Sequence, residues 1–360
     1  MGRRRVYSKI NTLTHSKVME QHNKKVVVFG ATGNLGAYVS MKLKEDGYDV
    51  VSVGGRKDDN GFFADHGMSY YFVNIKDYAS FAVLDAVGEV YAVCHFAGSL
   101  PSRYAYDPQD LVESITVGTL NVLRFMYKHN CKKIIFPQTP YDLAPYFDRF
   151  KNGGKLPADL QRGFPLTGDH TVYTIAKNAA VDLIEHFHAA YGFSRFILRF
   201  FTIYEYHPNA YHYADFKRRM MPFRMLMDRA MRSLPIEIWG DCKKSKEMVY
   251  VKDFTQLVSN CVASPLEGGT YNVGNGWQVS LDEQIRGIVE VFSPKETPSP
   301  IVYAPDKSDP LENAFDVSKT FEELKWKPKY SYLDQLRDFK KEMETEPFAQ
   351  LWGTKDDYKE

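Results

Sequence analysis

From Lys24 onward, apolar positions fall into short β-branched runs separated by longer stretches of helical period. Val26-Val27-Val28-Phe29 is an unbroken apolar run between a lysine and a glycine, which predicts a strand buried on both faces. A glycine turn follows, and residues 35–45 then read as a helix. Runs at 50–53, 70–75, 90–96, 133–136 and 196–201 predict five more strands. Helical stretches lie between them, including 110–128 and 171–191. Strands alternating with helices predict an α/β fold: a Rossmann-like, doubly wound parallel sheet with right-handed crossovers.

Past residue 203 the alternation loosens, and Pro, Tyr and Met enter in clusters. The expected organisation is a basic leader over 1–23 and a dinucleotide-binding domain over 24–203. A strand at 236–240 and a helix at 252–263 are expected to return to that domain. A smaller, interleaved substrate-binding region over 204–345 and a tail over 346–360 complete the chain.

The 360 residues carry 46 basic and 45 acidic side chains, a balance of +1 that argues against a nucleic-acid binder. That balance is uneven. Residues 1–25 hold seven basic side chains and one acid, so the remainder is mildly acidic. The leader has no apolar stretch for secretion; a transit peptide, an upstream start with Met19 as the working one, and a flexible extension stay open. No apolar run approaches the length of a membrane span, and a cytoplasmic protein is expected. Cys94, Cys131, Cys242 and Cys261 form no CxxC pair, which removes zinc-finger and disulfide frameworks.

The candidate chemistry starts at Gly30-Ala31-Thr32-Gly33-Asn34-Leu35-Gly36, between a predicted strand and a predicted helix. Gly30 permits the tight turn, Gly33 lets backbone N–H groups approach a pyrophosphate, and Gly36 lets the helix pack on the strand. An acid at the end of the second strand would bind the adenosine ribose and select NAD. Here the strand runs into Gly54-Gly55-Arg56-Lys57, and Arg56 favours NADP(H), with Asp58 and Asp59 the route to NAD.

The second motif is Tyr173-Thr174-Ile175-Ala176-Lys177. One helical turn sets Lys177 beside Tyr173, where an ammonium would depress a phenol pKa that starts near ~10. Such a tyrosine exchanges the proton of an alcohol undergoing oxidation. The same spacing recurs at Tyr38/Lys42, Tyr213/Lys217 and Tyr303/Lys307. Position separates them, because Tyr173 opens a helix between strands five and six, at the crevice where α/β sheets bind ligands.

Together these residues resemble the extended short-chain dehydrogenase/reductases of the NAD-dependent epimerase/dehydratase family, from about Lys25 to about Tyr332. The resemblance includes Asn74-Ile75 at the adenine-side dipeptide, His95-Phe96-Ala97-Gly98, and Val117-Gly118-Thr119-Leu120-Asn121-Val122-Leu123. It continues through Leu198-Arg199-Phe200-Phe201, Ile238-Trp239-Gly240-Asp241, Val249-Tyr250-Val251-Lys252-Asp253 and Tyr271-Asn272-Val273-Gly274. It implies a catalytic triad of Thr139, Tyr173 and Lys177, and a substrate pocket touching Ser99, Thr202 and Lys246. It also implies a nucleotide-sugar substrate and a homodimer.

Departures from the family pattern narrow the reading. Pro140-Tyr141 stands where family dehydratases carry an Asp-Glu acid/base pair, which disfavours dehydration. Tyr204-Glu205-Tyr206 replaces a Tyr-Gly-Pro turn, and Lys246 replaces a phosphate-contacting arginine. Residues 147–163 lengthen the gap between Thr139 and Tyr173 and are expected to act as a lid. Aromatics make up 14% of the chain and cluster over 193–223, Phe216 among them. Tyr204, Tyr206 and His207 are therefore expected to line the substrate pocket. His207 and His212 lack the acid or cysteine that would complete a metal set.

Three functions follow. The first is a sugar-nucleotide epimerase acting by transient hydride transfer. The second is an NADP(H)-dependent reductase of a keto-sugar or other carbonyl, and the third a dinucleotide-binding regulator without chemistry.

Overall fold

A computed structural model describes residues 24–101, 107–168, 170–214 and 217–358. The leader over 1–23 and Phe216 lie outside the described residues.

Seven parallel strands form the central sheet: β1 (Lys25–Phe29), β2 (Asp49–Gly54), β3 (Ser69–Phe72), β4 (Ala92–His95), β5 (Lys133–Gln138), β6 (Ser194–Arg199) and β7 (Gly268–Asn272). Their spatial order is β7-β6-β5-β4-β1-β2-β3. The reversal falls between β1 and β4, which is where such sheets open a crevice at their carboxyl ends. Val26, Val27 and Val28 have no exposed surface, as expected for a central strand covered on both faces.

Two apolar layers cover the sheet. On one side α1 (Asn34–Glu45) lies alongside α5 (Val251–Ala263), over Val26, Val28, Phe196 and Tyr271. On the other, α2 (Gly118–Lys128) and α3 (Thr171–Tyr191) cover Val27, Phe29, Ile134 and Ile197. A third core joins α4 (Pro222–Met231), α6 (Leu281–Phe292) and α7 (Tyr332–Thr345) through Met227, Ile285, Ile288 and Phe339.

Several expectations are corrected. The strand expected over 236–240 does not return to the sheet; Ile236–Trp239 pairs in parallel with Ile301–Ala304 in a separate two-stranded unit. The seventh strand is Gly268–Asn272, whose double glycine weakens any strand signal. The third strand stops at Phe72, and Asn74 and Ile75 lie in the turn beyond it. The helix expected over 110–128 is interrupted by a π turn at Val112–Val117 before α2 begins.

Residues 147–163 are not a loose lid. Leu143, Phe150 and Leu156 are buried against Phe315 and Val317, and Leu156 forms a β-bridge to Phe315. Residues 346–358 are likewise no free tail: Phe348, Leu351 and Trp352 are buried against the first layer.

Candidate active site

A cleft of about 760 Å³ opens at the carboxyl ends of β1, β4, β5 and β6. Each strand delivers a short turn to it: Gly30 after β1, Phe96–Ser99 after β4, Thr139 after β5 and Thr202 after β6.

The glycine loop forms one wall. Gly30 has φ +84°, and a Cβ there would stand 2.6 Å from the Ala97 nitrogen. A Cβ on Gly36 would stand 2.0 Å from the Gly30 carbonyl oxygen, so neither position admits a side chain. Gly33 is the N-cap of α1 and supplies no side-chain acceptor to the helix end. Gly33, Asn34 and Leu35 therefore present that end to the cleft, with the partial positive charge that suits a pyrophosphate.

Thr139, Tyr173 and Lys177 line the same cleft. Thr139 caps the 3₁₀ segment Pro140–Asn152, its hydroxyl accepting from the Tyr141 N–H at 3.3 Å. Tyr173 and Lys177 lie one turn apart on α3. The Lys177 ammonium donates to the Pro137 carbonyl at 2.9 Å and stands 4.4 Å above the Phe136 ring and 5.9 Å from the Tyr173 ring centre.

The expected depression of the Tyr173 pKa is not found. Burial pushes the Tyr173 phenol up from its ordinary value and pulls Lys177 down to about 7. Desolvation outweighs attraction because Lys177 points its ammonium at a backbone carbonyl and two ring faces. His95, buried behind this group, is held down to about 3 by burial and by Lys177, so it stays neutral with Nε2 3.0 Å from the Thr119 hydroxyl.

Ser99, Thr202 and Lys246 also reach the cleft, as do Phe96, Ala97 and Gly98. Lys244 joins Lys246 there and holds Glu312 at 2.9 Å. The lining residues Lys244, His170 and Gln284 carry no motif in the sequence, and Tyr141 and Glu205 stand out there only as departures from the family pattern. Tyr141 and His170 stack at 4.7 Å, a pairing across a long insertion that local spacing does not reveal.

Other expected site residues lie elsewhere. Tyr206 is 1% exposed in the third core and donates to Glu346 at 2.9 Å. His207 packs 4.6 Å from the Trp352 ring, and Tyr204 stands edge-on to Phe223. The aromatic stretch is thus mostly packing between α7 and the C-terminal segment, because its rings find apolar partners there. Asn121 donates to the Ile75 carbonyl at 2.9 Å, which fixes the Asn74-Ile75 turn beyond β3. Arg56 lies beside the β2 end, donating to the Leu351 carbonyl at 2.8 Å. Asp58 and Asp59 are occupied locally, accepting from the Asn60 and Phe63 N–H groups.

This order of strands, glycine loop and Tyr/Lys helix coincides with a family match over residues 26–274, described as the NAD dependent epimerase/dehydratase family. The chain belongs to that family. It is 25% identical over 325 residues to a UDP-glucose 4-epimerase of Halalkalibacterium halodurans, covering 86% of this chain and 92% of the relative. It is 26% identical over 322 residues to UDP-glucuronic acid decarboxylase 1 of Arabidopsis thaliana, covering 87% and 68%. Among solved structures, the UDP-glucose 4-epimerase of Thermotoga maritima with UDP-glucose superposes with a TM-score of 0.67 at 22% identity, covering 89% and 99% of the two chains. The UDP-glucuronic acid 4-epimerase of Bacillus cereus in complex with NAD superposes with a TM-score of 0.65 at 20% identity, again covering 89% and 99%. Those two structures share the fold.

Proposed function

We propose that this chain is a nucleotide-sugar epimerase dependent on NAD or NADP. The observation that carries this reading is the convergence of Thr139, Tyr173 and Lys177 with the α1 N-terminus and Lys246 on one cleft. The empty cap of α1 and the side-chain-free approach at Gly30 suit a dinucleotide pyrophosphate. A nicotinamide dinucleotide held there would supply the hydride acceptor, and then the hydride donor, for oxidation and re-reduction of a sugar carbon.

The chain's own groups manage the proton and the position. As the phenolate, Tyr173 takes the proton of the sugar hydroxyl as that carbon is oxidised, and as the phenol it gives that proton back on reduction. Thr139 hydrogen-bonds the same oxygen. Lys177, once charged, favours the phenolate that must stand ready before oxidation and that re-forms after reduction. Lys246 offers a cation to the diphosphate of the substrate.

Dehydration is disfavoured by the acids at hand. Pro140 and Tyr141 carry none, and Asp142 is fully buried in an ion pair with Arg199. A net reductase is the second reading, favoured by Arg56 beside the β2 end, which suits a 2′-phosphate.

The test is to purify the protein, release and identify any dinucleotide it carries, and assay UDP-glucose for conversion to UDP-galactose. Conversion with no net oxidation of coenzyme, lost in Y173F, supports the epimerase. Stoichiometric consumption of NADPH with a 4-keto-sugar supports the reductase instead. Absence of binding by either dinucleotide overturns both.

A further inference from the structure

Glu205 is the one acid on the wall of the cleft among the described lining residues. It follows β6 by six residues and stands where a Tyr-Gly-Pro turn would place glycine. The Asn34 side chain, on the first residue of α1, stands near its carboxyl and favours the charged form. Its second oxygen, Oε2, is closed off from solvent and has no hydrogen-bond partner among the described residues. An unpartnered carboxyl oxygen thus sits against the helix end that suits a phosphate.

The groups around it do not neutralise it. From α1, Tyr38 donates to Glu342 at 2.6 Å, and from α5, Lys252 holds the other Glu342 oxygen at 3.0 Å. Glu342, on α7, is the charged group that faces Glu205, and it bears the same sign. The Lys252 ammonium is therefore committed to Glu342 and Asp338. Burial and Glu342 push the Glu205 carboxyl up to about 8.

Two states of this carboxyl treat a pyrophosphate oppositely. Ionised, it repels the phosphate charge and competes for the N–H groups of the helix end. Protonated, its O–H can donate to a phosphate oxygen. We propose that Glu205 is a cofactor-binding carboxyl that takes up one proton when a dinucleotide pyrophosphate docks at the N-terminus of α1. The inference rests on the dinucleotide-binding reading and adds to it a proton linkage. The balance is simple: the proton comes from solvent, attaches to the carboxyl, and is released when the dinucleotide leaves. Affinity must then fall as pH rises above the pKa of the free carboxyl.

ADP-ribose tests this without redox chemistry, and its pyrophosphate diester keeps a fixed charge across the range. Its Kd is measured by calorimetry from about pH 6 to about pH 9.5, with proton uptake read from buffers of different ionisation enthalpy. For the native protein we expect a Kd that rises toward about tenfold per pH unit above about 8, with uptake approaching one proton. Glu205→Gln keeps the shape and removes the titration, so its log Kd against pH should be shallower by about one unit per pH unit. Proton uptake by the native protein stands as a test even where the variant folds poorly. A pH-independent Kd, or E205Q with the native slope, overturns the proton linkage and leaves the dinucleotide reading intact. No binding of ADP-ribose or NAD at any pH overturns both.

Discussion

Arg199 and Asp142 form a buried, two-pronged ion pair: Nε lies 2.8 Å from Oδ1 and Nη2 lies 2.8 Å from Oδ2. Arg199 closes β6 and Asp142 lies three residues after Thr139, so the pair clamps the turn that carries Thr139. The remaining Arg199 nitrogen reaches Asn272 of β7 at 3.0 Å and the Ala158 carbonyl at 3.1 Å. One guanidinium therefore ties two strands and the 140–158 insertion together.

Truncation at this pair should be costly because it strands a buried charge. Asp142→Ala is expected to lower stability by about 3–5 kcal/mol in urea denaturation. Pairing Asp142→Leu with Arg199→Met removes the stranded charge and should recover much of that loss. A double variant no more stable than D142A would contradict this account.

Lys177 gives a prediction with a definite sign. Its pKa is lowered from 10.5 to about 7, so between those values the folded chain binds fewer protons than the unfolded one. Stability is then lost as pH falls through that window, and the cost is complete below about 7. Lys177→Met keeps the length without the charge. It should abolish turnover yet raise stability by about 2–4 kcal/mol near pH 6, with a smaller gain near pH 9. Denaturation curves at the two pH values decide it; an equal gain at both would sink the burial argument.

Much of this was legible in the sequence. The β-branched runs and glycine loop define β1, β2, α1 and their order because buried parallel strands need continuous apolar residues. The bounds of α3 agree with its pattern, since Gly192 at φ +69° ends the helix. Tertiary partners decided the rest. Ile236 reads as a strand residue of the main sheet, but only the fold reveals that it pairs with Ile301, while Val249 pairs with Ile203. The Tyr/His stretch after 203 is polar enough to read as a pocket wall; Glu346 and Trp352, remote in sequence, supply the partners that make it packing. The pKa order of Tyr173 and Lys177 was hidden for the same reason, because spacing does not disclose burial.

Tyr206 separates the two readings of the aromatic stretch. As a core residue with one hydrogen bond to Glu346, it should lose about 0.5–1.5 kcal/mol of stability in Tyr206→Phe, with the KM for sugar nucleotide unchanged. A raised KM at native stability would return Tyr206 to the pocket.

The C-terminal segment is part of the phosphate-loop support. Trp352 is 4% exposed and donates its indole N–H to the Thr32 carbonyl at 3.0 Å, in the middle of the glycine motif. Its ring packs 4.4 Å from Phe348 and 4.6 Å from His207, while the preceding Leu351 carbonyl is held by Arg56. The loop is thereby braced from behind by a residue 320 positions away. Trp352→Phe keeps most of the packing and removes the donor, leaving the buried Thr32 carbonyl unpaired at a cost of about 1–3 kcal/mol. Trp352→Ala also opens a cavity and should cost about 3–5 kcal/mol. If bracing sets the loop for its ligand, W352F should weaken NAD or NADP binding several-fold at temperatures where the protein remains folded. Calorimetric titration beside a melting curve reads both effects, and an unchanged Kd in a destabilised W352F would confine Trp352 to stability alone.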